Sequence, residues 1–335
     1  MKISTIKCSF IKLLLISALF LNFASCKPSF RTNDGSTWGT NYHIVYASDR
    51  DLHDSVVAVM RSVDMALSKF NPQSEISRIN AGLTDTVGPM IADVFEVSIR
   101  VAELSGGVYD PTVGPVCELW GFGRAEFSDV PSDSAIAAAL ATVGIADCAI
   151  ADNRLIKKAP GTEFDFSSVA KGYGIDCIAA MLSRNGVEDY MVEIGGEISA
   201  RGLSPKGRPW RIQIDAPEAP ATPAELHSRL TVLELGPEPV AVATSGNYRN
   251  MRSAASGETF GHTISPVTGR PATSEILSAT VIASDCALAD ALATACMALP
   301  TAADALALAD RAGVEVLLVT AAPDSTFKLH SNRTR

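Results

Sequence analysis

"CALADALATACMALPTAADALALADRAGVEVLLVTAA", residues 286–322, decides the fold class. "CALADALATACMAL" and "AADALALADRAG" read as helices, and "VEVLLVTAA" reads as a terminal strand behind them. Two helices in succession do not fit the strict βαβ rhythm of a parallel sheet and favour α+β. The first helix has the composition of a core element, yet it carries Asp290 and Thr294. Four residues apart, they share one helix face, one turn from each other. Burying that carboxylate costs several kcal/mol unless something pairs with it. Mg²⁺ is one such partner, since it takes oxygen ligands, one or two of them from protein. The other reading has Thr294 bonding back to a helical carbonyl and Asp290 paired elsewhere.

Working outward, "WGTNYHIVYA" alternates as a strand, and "LHDSVVAVMRSVDMALSKF" carries Val56, Val59, Met60, Val63 and Leu67 at helical spacing. "NPQSEISRINAG" reads as a loop, and "MIADVFEVSIRVAELSGG" as a helix closed by its glycines. "SDSAIAAALATVG" is a capped helix, and "CAIADNRLIKK" is a strand pair turning at "DN". "DFSSVAKGYGIDCIAAMLSRNG" is a loop feeding a helix. "YMVEIGGEISARG", "WRIQIDAP" and "LTVLELGPEPVAVATSG" are strand regions, with a loop at "EAPATPAELHS". The expectation is α+β, with mixed, largely antiparallel sheets packed with helices. Neither a Walker A motif nor a Rossmann GxGxxG is present.

The 335 residues suffice for one large domain or two smaller ones, and 47% hydrophobic with 19% charged residues is a globular balance. Formal net charge is -9; without Lys2, Lys7 and Lys12 the remainder stands near -12, which argues against nucleic acid. Those lysines lead into "LLLISALFLNFASC", an apolar stretch short for a bilayer span. Its end, Ala24-Ser25-Cys26, resembles a bacterial lipobox in which Cys26 is lipidated; Phe23 departs from the usual aliphatic residue, and an ordinary cleaved signal is the alternative. Either way the chain is expected to be exported, and with lipid it is anchored to a bacterial membrane facing the periplasm. The cysteines beyond Cys26, namely Cys117, Cys148, Cys177, Cys286 and Cys296, show no CxxC pair or metal spacing and read as structural.

Several segments carry chemistry. In "DFSSVAKGYGID", Ser167 and Ser168 precede a helix whose N–H groups attract phosphate, and Lys171 offsets phosphate charge. An ordinary helix cap is the competing reading. "GGVYDPTVGPVCELWGFG" is a glycine- and proline-rich loop around Tyr109, Asp110, Trp120 and Phe122, suited to a flat ring system with Asp110 at a polar edge. "ATSGNYRN" and "GHTISPVTGRP" are two further rigid loops, the second holding His262.

Eight segments in order, "WGTNYHI", "LSKFNPQSEISRIN", "GGVYDPTVGPVCELWGFG", "DFSSVAKGYGID", "YMVEIGGEISARG", "ATSGNYR", "HTISPVTGRP" and "ADALATA", resemble the FAD:protein FMN transferase family, known as ApbE. The resemblance spans roughly residues 34–320. Together with the export signal read over 1–25 and a tether over 26–36, the expected organisation is an ApbE-like domain over 37–322 and a tail over 323–335. The resemblance implies Mg²⁺ on Asp290, Thr294 and the carbonyl of Ala170. It places FAD contacts on Trp38, Phe70, Val108, Tyr109, Asp110, Ser167, Tyr173 and Ile264, with Lys171 and His262 near the diphosphate.

The implied reaction is attack by a Ser or Thr hydroxyl of a partner protein on the FMN-side phosphorus of FAD, releasing AMP. His262 is the candidate base, with Asp290 able to assist, and a structural role for His262 is the alternative. The implied acceptors are exported or membrane electron-transfer proteins such as Nqr- or Rnf-type subunits. Two other readings stand beside it: a Mg²⁺-dependent FAD pyrophosphatase giving FMN and AMP, and a flavin-binding lipoprotein without chemistry. Trp38 stands where the family commonly has methionine, and Ser265 where it has aspartate.

Overall fold

The computed structural model describes residues 29–123, 127, 129–217, 229–247, 251–254, 256–322 and 326–333. Its strands are β1 (Phe30–Thr37), β2 (Thr40–Ala47), β3 (Ala149–Ala151), β4 (Arg154–Ile156), β5 (Tyr190–Ile194), β6 (Glu197–Arg201), β7 (Trp210–Asp215), β8 (Arg229–Leu235), β9 (Val240–Gly246), β10 (Met251–Ser253), β11 (Thr259–Gly261), β12 (Ile276–Ala283), β13 (Glu315–Ala321) and β14 (Phe327–Ser331). Its α-helices are α1 (His53–Leu67), α2 (Glu75–Asn80), α3 (Pro89–Leu104), α4 (Gly114–Leu119), α5 (Asp133–Leu140), α6 (Ala170–Arg184), α7 (Cys286–Ala298) and α8 (Ala302–Ala312).

One eight-stranded sheet, ordered β1-β2-β5-β6-β9-β12-β13-β14, organises the molecule, and its strands pair antiparallel throughout. The α+β expectation therefore holds. β5 and β6 form a hairpin whose two-residue turn, Gly195 and Gly196, has φ of 65° and 102°, a conformation that glycine adopts without Cβ strain. Both faces of the sheet are covered at its centre. Helices α1, α3, α6, α7 and α8 cover one, and the two-stranded β7–β8 ribbon covers part of the other through Trp210, Ile212 and Ile214 on Ile198, Ala200 and Val242. Burial on both sides explains the near-continuous apolar runs of β9 and β12.

Helix α7 lies inside this arrangement, packed on β9, β12, α6 and α3. Eleven of its residues are buried, so it is apolar nearly all round rather than amphipathic. Its alanines let four neighbours approach closely. The helix is started by Asp285, whose side chain accepts from the Leu288 N–H at 3.0 Å.

Four expectations change. "NPQSEISRINAG" contains α2, whose first turn Ser74 caps by accepting from the Ser77 N–H at 3.1 Å. "GGVYDPTVGPVCELWGFG" is partly helical: a 3-10 turn at Pro111–Val113 runs into α4, and Trp120 is buried behind it. β13 is not terminal, because β14 pairs along it within the expected tail over 323–335. At the other end, β1 occupies most of the expected tether over 26–36 and pairs with β2 along its length. The folded unit thus runs past both bounds of 37–322. The expected signal peptide, Cys26 and "EAPATPAELHS" lie outside the described residues, within which no helix is long and apolar enough to cross a membrane.

Candidate active site

The chemistry-bearing residues meet where α6 and α7 face β6 and β9. α7 presents Asp290 and Thr294 one turn apart to a cavity of about 720 Å³. Asp290 is only 5% exposed. Its Oδ2 accepts from the Gly172 N–H, in the first turn of α6, at 3.1 Å. Thr294 Oγ1 lies 3.5 Å from Ser245 Oγ on β9.

The same two helices are clasped in the opposite sense. The carboxylate of Asp176, on α6, accepts from the N–H groups of Cys286 and Ala287 at the start of α7, both at 2.8 Å. Each helix therefore satisfies orphan N–H groups of the other. Burial raises the Asp176 carboxyl to about 7, against the pull of those two N–H groups. A carboxyl raised this way binds its proton more tightly in the folded than in the unfolded chain, where it titrates near 4. Its contribution is complete below that value and is lost as pH rises through about 7. Thermal unfolding of metal-free protein should therefore occur at higher temperature at pH 6 than at pH 8, by about 1 kcal/mol of stability from this group. Asp176→Asn should flatten that part of the profile; an unchanged slope, read by calorimetry, would remove Asp176 as its source.

Lys171, the second residue of α6, forms an ion pair with the buried Glu197 of β6. Burial alone would lower the ammonium's pKa, but Asp290 and Glu197 outweigh that and hold it above the usual lysine range. Burial raises both carboxyls, with Lys171 opposing the shift in each case. Two buried carboxyls thus share one ammonium, and a further cation is what would let both stay ionised. Among the described residues no group of three or more His, Cys, Asp or Glu gathers as a metal site. A cation here can take hard oxygens from Asp290 and Thr294 and the rest from ligand and water, which suits Mg²⁺ rather than zinc.

The other expected residues divide clearly. Phe70 stands at the cavity's margin, 61% exposed, while Val108, Ser167, His262 and Ile264 line its wall. The His262 ring lies edge-on to Phe122, with centroids 6.2 Å apart. Tyr109 reaches the cavity but is otherwise core: its hydroxyl accepts from Ser168 at 3.1 Å, and burial pushes the phenol up to about 12. Asp110 also borders the cavity, yet its oxygens hold the chain itself. Oδ1 accepts from the Thr112 N–H at 2.8 Å and Oδ2 from the Ile145 N–H at 2.9 Å. Asp110 thus fixes the loop from a position on the cavity wall.

Three expected residues are not among those lining the cavity. Trp38 donates through Nε1 to the Met60 carbonyl at 3.2 Å and packs against Gly174, so it holds α6 against α1. Tyr173 points to the surface, where its hydroxyl donates to Asp93 at 2.6 Å. Ala170 opens α6 beside Lys171 and is half-buried. Ser265, where an aspartate was anticipated, accepts from the N–H groups of Val267 and Thr268 at 3.3 and 3.2 Å and so still caps the turn.

Glu197 and Asp176 were missed, although the signal that marks Asp290 also marks them: a carboxylate inside an apolar strand or helix. Lys69, which pairs with Asp165 at 2.6 Å against the cavity wall, was missed as well.

The profile of the ApbE family matches residues 38–318. The FAD:protein FMN transferase of Vibrio cholerae serotype O1 is 36% identical over 331 residues, covering 95% of this chain and 96% of that protein. The FAD:protein FMN transferase of Haemophilus influenzae is 34% identical, covering 83% of each. Among solved structures, the flavin transferase ApbE from Vibrio cholerae superposes with a TM-score of 0.79 at 34% identity, covering 90% of this chain and 97% of that one. The apo form of the Pseudomonas stutzeri flavinyl transferase ApbE gives 0.79 at 32% identity, covering 92% and 96%.

Proposed function

Because this chain belongs to the ApbE family, we propose how its cavity carries out flavin transfer. It is a FAD:protein FMN transferase, and FAD is its substrate. The acceptor is a Ser or Thr hydroxyl of another protein. Its oxygen bonds to the FMN-side phosphorus, the bond from that phosphorus to the oxygen bridging the two phosphates breaks, and AMP leaves with that oxygen. FMN stays on the acceptor through a phosphoester. The observation that carries this reading is the buried carboxyls of Asp290 and Glu197 sharing the Lys171 ammonium, at a cavity of about 720 Å³.

Asp290, Thr294 and the carbonyl of Ala170 are the residues that would hold Mg²⁺. Bound there, Mg²⁺ supplies positive charge to the diphosphate and to the departing AMP oxygen. Glu197 holds the Lys171 ammonium toward the same space, adding a second positive charge where negative charge develops. His262 takes the hydroxyl proton as the phosphorus–oxygen bond forms. On this reading His262→Ala lowers kcat roughly 10²- to 10⁴-fold and flattens the acidic limb of the pH–rate profile. A retained limb would assign that limb to another group.

Mg²⁺ and the hydroxyl acceptor are tested together by intact mass. The soluble chain beginning after Cys26 is incubated with FAD, with and without Mg²⁺, and a carrier protein bearing the family's Ser/Thr flavinylation motif. A Mg²⁺-dependent gain of one FMN on the carrier is expected. Free FMN and AMP with an unmodified carrier would transfer the assignment to a pyrophosphatase. Unchanged FAD would leave a binding protein.

The proposal extends to the chain's surroundings. Cys26 carries lipid, the enzyme faces the periplasm, and its acceptors are exported or membrane electron-transfer subunits of the Nqr or Rnf type. Support for this comes from Lys2, Lys7 and Lys12 ahead of an apolar stretch ending in Ala24-Ser25-Cys26.

A further inference from the structure

The β7–β8 ribbon has a feature that packing alone does not require. β7 pairs with β8 along one edge and, among the described residues, with no strand along the other. Residues 211–215 all border the cavity that holds Asp290 and Thr294. Successive side chains of a strand point to opposite faces. A run in which every residue borders one space therefore turns its edge, with alternate backbone N–H and C=O groups, toward that space. Across from it lies the outward face of β5, where Met191 and Glu193 border the same cavity while Val192 between them is fully buried on the helix side.

Exposed edges are normally blunted by lysine, proline or an early bulge. "WRIQID" has neither lysine nor proline, and its register irregularity falls only between Ile214 and Asp215. Arg211 is drawn across the ribbon to Glu234, with its Nε at 3.3 Å. Among the described residues, no strand occupies this edge along residues 211–214, which leaves it able to pair.

We infer that the unpaired edge of β7 takes the acceptor polypeptide as an added strand, which delivers its Ser or Thr hydroxyl to the diphosphate. The inference rests on the flavin-transfer reading of the same cavity. That reaction requires a hydroxyl on a short side chain to reach the neighbourhood of Asp290, itself 5% exposed. A flat protein surface cannot bring it there, whereas an extended segment can. Such a segment entering the cavity leaves water, so its backbone polar groups need partners. A strand edge supplies them at every second residue, without reading side chains.

A backbone N-methyl scan tests this. A synthetic peptide bearing the family's Ser/Thr flavinylation motif is made with one N–H methylated at a time, and FMN gain is followed by mass. Loss of roughly fivefold or more in kcat/KM for the peptide is expected at alternate positions, with the KM for FAD unchanged. A flat scan, or equal losses at consecutive positions, overturns the inference while leaving flavin transfer intact. A parent peptide that gains no FMN overturns the flavin-transfer reading and this inference with it. To place the edge, Gln213→p-benzoylphenylalanine should crosslink the peptide on irradiation, and Lys328→p-benzoylphenylalanine on β14, an edge strand of the large sheet, should not. Capture at β14 and not at β7 overturns the assignment.

Discussion

Asp290→Ala abolishes Mg²⁺-dependent FMN transfer, with an expected loss of at least about a thousandfold in kcat. The size follows from position. Asp290 is buried, shares Lys171 with Glu197, and is the one carboxylate of the Asp290–Thr294 helix face. On the proposed reading, its removal takes away the anionic ligand for the metal and leaves Lys171 fully committed to Glu197. The fold loses little by comparison. The Gly172 N–H forfeits one acceptor, worth about 1–3 kcal/mol when buried, but a costly buried charge disappears as well. Asp290→Asn separates these effects, since its amide oxygen still accepts from Gly172. The Asn variant should unfold within a few degrees of the parent and be as inactive as the alanine variant. Transfer at the parental rate in a folded Asn variant would falsify the assignment of Asp290 to the metal.

Gly172→Ala is expected to be strongly destabilising. A Cβ at this position would lie 2.2 Å from the Cys286 carbonyl oxygen and 2.9 Å from the Ala287 Cα. Both are backbone atoms at the start of α7, so no side-chain rotation relieves the clash. The helices must part, and they are held at that point by the Asp176 and Asp290 bonds. Overpacking of this kind costs about 3 kcal/mol, or roughly 5–10 °C in melting temperature for a chain this long. Mg²⁺ affinity should fall with it, because Lys171 and Asp290 sit on the two helices being separated. A variant with parental melting temperature and metal affinity would mean the helices have slack that the close approach does not suggest.

Much of the site was legible because its signals are local. Asp290 and Thr294 stand four apart in an otherwise apolar helix, and that spacing alone puts them on one face. The "DN" turn was equally plain, and Asp152 and Asn153 adopt φ of 50° and 57° there. What local signals do not carry is which neighbours a residue meets from elsewhere in the chain. Trp38, in the turn between β1 and β2, carries no mark of which face it will cover, and the Met60 carbonyl and Gly174 are its neighbours. Asp110 likewise gives no local sign that Ile145, distant in sequence, donates to one of its oxygens. The tail became a strand because β13 had an edge to fill, and "FKLHS" is too short and mixed to announce pairing by itself.

From its residues alone this chain determined its class, the helical register of the proposed metal ligands and the order of its motifs, because each depends on periodicity within a few turns. The tertiary structure decided what those ligands face. Gly172 and Asp290 are 118 residues apart, Asp176 and Cys286 are 110 apart, and Lys171 meets Glu197 across a helix and a sheet. Covalent spacing fixes angles along one element, but only burial, by stacking α6 and α7 against one sheet, sets which charges must answer one another.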